Sequence, residues 1–229
     1  MRRAGWAVAG RAAWRPAPRL GGGAGRWFGG YASGPLTPPS HFAIFGLAPS
    51  YEVDGAALKA KWLDLQRETH PDLVAARPGG GGADELEAAR ARSSLVNEAY
   101  AVLKDDLRRA EHLLRLASGE GGQHVLEEDA RVEDMGLLME VMEARQEIEE
   151  ALQMADGDEA KKSAAVGEIE GRLRKRRAEA VGQLHSSFAA GLGEGGNEAA
   201  LAQAREGTMR LMYVVRAIEE LTGVLADVD

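Results

Sequence analysis

His70, Pro71 and Asp72 are the residues of this chain whose types and order most readily suggest chemistry. An imidazole and a carboxylate two positions apart could relay a proton, as half of a catalytic triad does. A triad also needs a nucleophile. No serine stands in a nucleophile-elbow context, and the 229 residues contain no cysteine. The same absence removes disulfides, thiolate zinc sites and iron–sulfur ligation by these residues. Five histidines, His41, His70, His112, His124 and His185, are scattered singly, whereas a metal site needs three or four converging ligands. The glycines at 79–82 are not followed by Gly-Lys-Ser/Thr, so they are no phosphate loop. No catalytic residue, metal or cofactor is therefore expected. A His-Pro-Asp match alone arises often by chance; its setting is what gives it weight.

That setting is helical. Aromatic residues make up 5% of the chain, and three of its four tryptophans, Trp6, Trp14 and Trp27, lie in the first 30 residues. Leucine, alanine and methionine must do the core packing, which favours an all-α fold. Asp54 is a good N-cap for a helix over about 56–69, with Leu58, Trp62 and Leu65 on one buried stripe. Pro71 ends that helix, because the residue before a proline is pushed out of the helical region. A loop is expected to follow. A second helix begins near Ala83-Asp84 and carries Leu86, Leu95, Ala99, Val102 and Leu103. Two antiparallel helices joined by a loop that begins His-Pro-Asp would present the three side chains to solvent.

Charge is distributed unevenly. No acidic residue precedes Glu52, yet six arginines do: Arg2, Arg3, Arg11, Arg15, Arg19 and Arg26. Without those six, 22 basic residues face 36 acidic ones, a net −14 against −8 for the whole chain. So acidic a body repels a phosphate backbone, and no nucleic-acid partner is expected. No run approaches the roughly 18 apolar residues of a membrane span, so no membrane is expected either. The Arg-, Ala- and Gly-rich segment 1–33 has the composition of an organellar import sequence, with Arg26-Trp27-Phe28 resembling a matrix-protease site. A disordered basic tail has the same composition. The expected location is the mitochondrial matrix; a plastid, or an additional cytosolic pool, is the alternative.

Prolines and glycines divide the remainder into a linker at 34–40, a unit at 41–117, a second linker at 118–130 and a C-terminal unit at 131–229. In the last of these a helix over about 132–154 places Leu137, Val141, Ala144 and Ile148 on one stripe. Leu138, Met139 and Met142 fall outside it, continued by Glu143, Gln146 and Glu150. An apolar patch with an acidic rim, carrying adaptable methionines, suits partner binding, although another helix of the bundle could cover it instead. The next helix, about Glu159 to Ala190, contains Arg172, Arg174, Lys175, Arg176 and Arg177, read as a solvated face.

The segment Phe42-Ala43-Ile44-Phe45-Gly46-Leu47, the helix with Trp62 and Leu65, His70-Pro71-Asp72, and Asn97-Glu98-Ala99-Tyr100-Ala101-Val102-Leu103 resemble, in that order and spacing, a J-domain. J-domains stimulate ATP hydrolysis by DnaK-class heat-shock chaperones. An ordinary one closes on Arg-x-x-Tyr-Asp, but this chain continues Leu107-Arg108-Arg109-Ala110-Glu111-His112-Leu113-Leu114, which resembles the HscB family of iron–sulfur cluster assembly. That resemblance implies an all-α, L-shaped protein with an N-terminal J-domain and a C-terminal three-helix bundle. It implies that His70, Pro71 and Asp72 switch on a DnaK/HscA-type ATPase. Lys59, Lys61 and Arg67 would meet an acidic chaperone surface, if they are not simply a solvated face. Leu73 departs from the lysine of many J-domains, and Asp64 and Glu68 dilute the positive face.

The same resemblance implies that Leu138, Met139, Met142, Glu143, Gln146 and Glu150 contact an IscU-type iron–sulfur scaffold protein, with Tyr213 on the last helix. Tyr213 also suits a bundle core with a bonded hydroxyl. A homodimer is compatible with the sequence. The expected function is that of a co-chaperone, not an enzyme, which delivers the scaffold to the ATPase and promotes cluster transfer. A general J-protein for misfolded mitochondrial chains is the alternative.

Overall fold

The computed structural model describes residues 40–76, 82–118, 159–193 and 196–226, with single positions between 139 and 153. Among them there are helices and turns and no strand. The leader at 1–33, almost all of both expected linkers, and Leu137, Leu138, Val141, Ala144 and Ile148 lie outside the described residues.

The N-terminal unit contains α1 (His41–Ile44), α2 (Gly55–Thr69), α3 (Pro71–Ala75), α4 (Ala83–Lys104) and α5 (Asp106–Ala117). The Ser40 hydroxyl accepts the Ala43 N–H at the start of α1. Gly46 then takes a φ of +60°, which lets Leu47 N–H reach back 2.9 Å to the Phe42 carbonyl. Asp54 caps α2 as expected, accepting from the N–H groups of Ala56 and Ala57. Asp105 breaks α4 from α5 in an extended conformation and caps α5 through Arg108 N–H. Helices α2 and α4 are joined by a polar and aromatic clasp. Asn97 Oδ1 accepts from Trp62 Nε1 at 3.0 Å and from Gln66 Nε2, while the Trp62 indole stacks on Tyr100 with centroids 4.8 Å apart.

The C-terminal unit is built on an antiparallel hairpin of α6 (Glu159–Gly191) and α7 (Glu198–Ala226). A Cβ on Gly191 would lie 2.8 Å from Leu201 Cδ2, so a larger residue there would require the Leu201 side chain at the start of α7 to shift. The described positions between 139 and 153 are also helical. Arg172 of α6 reaches across to that segment and binds Glu147 with both nitrogens, at 3.0 and 3.1 Å.

The two units share one core. Phe42, Phe45, Leu58, Val96, Leu103, Leu113 and Leu114 pack into the same cluster as Ala180, Leu184 and Phe188 of α6 and Ala204 and Leu211 of α7. The far half of the hairpin has its own small core of Val166, Ile169, Leu173, Ala217 and Leu221. A polar lock lies beside the shared core. Asp106 accepts 2.7 Å hydrogen bonds from Arg109 and from Arg177, and Arg109, only 6% exposed, also donates to the Leu103 carbonyl. The Arg109 guanidinium lies 4.8 Å from the centroid of buried Tyr51, whose ring stacks on Phe188.

The arginine run is mostly exposed, as read from the sequence, but two of its members also make long-range ion pairs. Arg172 and Arg177 are structural cations that tie α6 to the segment at 139–153 and to α5, and Arg174 pairs with Glu170 of its own helix. The charge pattern concealed this because the partners, Glu147 and Asp106, are 25 and 71 residues away.

One buried group gives the fold a pH dependence. His112 stacks on His41 with centroids 4.4 Å apart, and its Nε2 accepts the His41 N–H. Burial first, then His41 and Arg115, pull its pKa down to about 4 from 6.5. Between those values the unfolded chain takes up a proton that the native state refuses. Stability is therefore complete above pH 6.5 and falls as the pH drops towards 4, by about 2–3 kcal/mol. Urea unfolding at pH 7 and pH 5 is expected to show about 2 kcal/mol of that loss in the native chain and a smaller one in His112→Gln. Equal slopes would remove His112 as its source.

Candidate functional site

The site begins at a chain reversal dictated by one proline. Thr69 is the last residue of α2, and His70, at φ −62° and ψ 127°, is extended as a pre-proline residue must be. Helix resumes at once, where a loop was expected. Pro71 needs no N–H at the first position of a helix, so α3 starts on it, and the His70 side chain serves as its N-cap. His70 Nδ1 accepts the Asp72 N–H at 3.3 Å, and the Asp72 carboxylate lies 3.9 Å from the same nitrogen. Val74 is the buried residue that seats α3 on the rest of the unit. The tripeptide is thus a rigid junction between two helices, with the imidazole half-exposed and the carboxylate almost wholly so.

Such a junction suits contact more than catalysis. Among the described residues, no group of three or more His, Asp or Glu side chains is arranged to hold a metal ion. None of the described helices is long and apolar enough to cross a membrane. A cavity of about 430 Å³ lies between Pro49–Glu52 and the end of α6, and His70 is not among its lining residues.

The three cations named beside the tripeptide have different roles in the structure. Lys59 is exposed on α2. Lys61 turns inward, donating 2.8 Å to the Phe45 carbonyl, and partial burial lowers its pKa. Arg67 is exposed and pairs with Asp64 at 3.3 Å. The positive face is therefore weaker than the residue types suggest: one cation is tied to the backbone and another is half-neutralised.

The second group of residues lies on the segment at 139–153. At about 100° per residue, Met139, Glu143, Gln146 and Glu150 lie within about 60° of one another, and Met142 flanks them. All five are exposed, the methionines at 57% and 63%, and Gln146 donates to Glu150 at 2.8 Å. Glu147, at the edge of this stripe, is the residue held by Arg172. Among the described residues, Met139 and Met142 are thus left more than half exposed and are not covered by another helix of the bundle. Tyr213 is half-buried on α7, between Leu211 of the shared core and Ala217 of the distal one. Sequence reasoning missed the roles of Asp106, Arg109 and Arg177, which lock α5 to α6, and of Arg172, which ties the methionine segment to α6. The spacing of Asp106 and Arg109, one helical turn apart, was the only local sign.

Comparison with known proteins gives a consistent result. Residues 133–222 match the family described as the HSCB C-terminal oligomerisation domain. A co-chaperone protein HscB homolog from Vibrio vulnificus is 29% identical over 182 residues, 80% of this chain and 94% of the relative. One from Shewanella loihica is 33% identical over 150 residues, 65% of this chain and 82% of the relative. The solved structure of the chaperone HscB from Vibrio cholerae superimposes with a TM-score of 0.64 at 26% identity, covering 82% of this chain and 99% of that one.

Proposed function

The chain belongs to the HscB family of co-chaperones, and on that premise we propose that it activates a DnaK/HscA-type ATPase and delivers an IscU-type iron–sulfur scaffold protein to it. The observation that carries this reading is two unlike exposed faces on one chain, the first on a unit that shares its core with the α6–α7 hairpin and the second on a segment that Arg172 of α6 holds. The His70-Pro71-Asp72 junction projects from the N-terminal unit, and the methionine face from the C-terminal one. The shared core and the Asp106 lock join the N-terminal unit to the α6–α7 hairpin, and Arg172 ties the methionine segment to α6 through Glu147. A scaffold held on one face is then presented to an ATPase engaged by the other, at low entropic cost.

In this reading the chain catalyses no covalent step. His70 and Asp72 act on the partner by contact, and hydrolysis by the partner closes it on the scaffold and promotes release of the cluster, which is cargo here. The import-like composition of residues 1–33 supports the mitochondrial matrix as the place of work. The description of the matched domain as an oligomerisation domain fits either self-association or association with the scaffold.

Titration calorimetry of the chain into a purified iron–sulfur scaffold, followed by an ATPase assay with a DnaK-class chaperone, tests the reading. Saturable one-to-one binding and a chain-dependent rise in ATP hydrolysis are expected. ATPase stimulation without scaffold binding at high micromolar concentration would leave a general J-protein, and two-to-two stoichiometry would add self-association.

A further inference from the structure

A polar notch of about 190 Å³ lies between α6 and α7, lined by Gln183 and Ser187 of the first and by Gln203, Glu206, Gly207 and Arg210 of the second. A Cβ on Gly207 would come within 3.1 Å of Leu184 Cδ2, so a side chain there would press on the shared core behind the notch. Gln183, Gln203 and Glu206 are exposed. Among the described residues, neither glutamine carboxamide is tied to another group. Glu206 and Arg210 stand 3.8 Å apart, so the notch carries no net charge.

The notch continues the line of the methionine face. Glu147 and Arg172 meet although they are 25 residues apart, so the chain reverses between them and the segment at 139–153 runs antiparallel to α6. Two turns back from Glu147 to Met139 correspond to two turns forward from Arg172, to about Ala180. Gln183 and Ser187 occupy the next two turns, and Gln183 lies within about 20° of Arg172 around the helix. On α7, Arg210 and Glu206 lie one and two turns before Tyr213, within about 60° of it. Both helices thus lead from the proposed scaffold contacts into the notch.

The lining is complementary to a peptide amide. Each carboxamide offers an acceptor oxygen and two N–H donors, and a main-chain unit returns one donor and one acceptor. With its own charges balanced, the notch does not select a charged group. At about 190 Å³ it is smaller than the roughly 300–1,000 Å³ of a small-molecule site, so it suits part of a partner already held elsewhere.

We propose that this notch is a specificity contact for the scaffold protein, in which Gln183 and Gln203 bind a main-chain amide of a scaffold segment reaching beyond the methionine face. The proposal rests on the co-chaperone reading above and adds a second point of contact to it.

The test is titration calorimetry of the full chain into a purified iron–sulfur scaffold protein. Gln183→Ala with Gln203→Ala is expected to raise the Kd about tenfold. The factor should be the same at roughly 0.05 and 0.3 M potassium chloride, because no charge is removed. Gln183→Met with Gln203→Met keeps side-chain length and helix propensity but removes the hydrogen-bonding groups, and is expected to bind as weakly. Both positions are exposed, so the thermal transition should not move. Native affinity in the alanine variant overturns the proposal, even where Met139→Ala with Met142→Ala still weakens binding. Native affinity in the methionine variant alone also overturns it, since packing and not hydrogen bonding would then hold the partner. No scaffold binding by the native chain would remove the scaffold-delivery reading itself, and this proposal with it.

Discussion

His70→Gln is expected to abolish ATPase stimulation while scaffold affinity stays within about twofold of the native chain. The expectation follows from where His70 stands. Its ring is half-exposed, and its interactions in the structure are local: Nδ1 accepts the Asp72 N–H and lies 3.9 Å from the Asp72 carboxylate. Loss of that cap costs about 1 kcal/mol, confined to the first turn of a five-residue helix. The core that joins the two units does not include it. A folding defect is thus too small to explain a complete loss of stimulation, and the far face would not sense the change. Asp72→Asn, which keeps the shape and removes the charge, is expected to be comparably inactive. Parallel ATPase and calorimetric titrations decide. Simultaneous loss of stimulation and scaffold binding would show that the two faces do not act separately.

The features legible in the sequence were those with local causes. The Asp54 cap, the stop before Pro71, and the starts of α4 and α6 follow from residues within one helical turn of each boundary. The junction itself was only half legible. Proline ends one helix and begins another equally well, and what chooses is the packing of Val74, which neighbouring residues do not reveal. Charges with distant partners were the least legible part. Arg177 looked like one of five exposed cations until its distant partner was in place, and Lys61 looked like a surface lysine until Phe45 offered a carbonyl. The residues that make the two faces into one body are also those whose roles depend on contacts across the longest separations. That is why the family was more readable than the contacts that join the two units.

Met139→Ala combined with Met142→Ala is expected to weaken scaffold binding by about 2 kcal/mol or more, roughly thirtyfold, as truncation of central interface residues does. Both side chains are more than half exposed, so their removal opens no core cavity and the thermal transition should not move. Any loss of affinity therefore reports the interface. The geometry also sets which neighbours should matter. Glu143, Gln146 and Glu150 share the methionine stripe and form a polar rim, whose truncation costs less than that of the apolar centre. Glu147 belongs to a different category, because Arg172 binds it with both nitrogens. Glu147→Ala would act on the position of the segment and not on the contact, lowering stability along with affinity. ATPase stimulation measured without scaffold should be unaffected by the methionine changes. Unchanged affinity in the double variant would move the scaffold to another face, with the surface around half-buried Tyr213 the next to be tested.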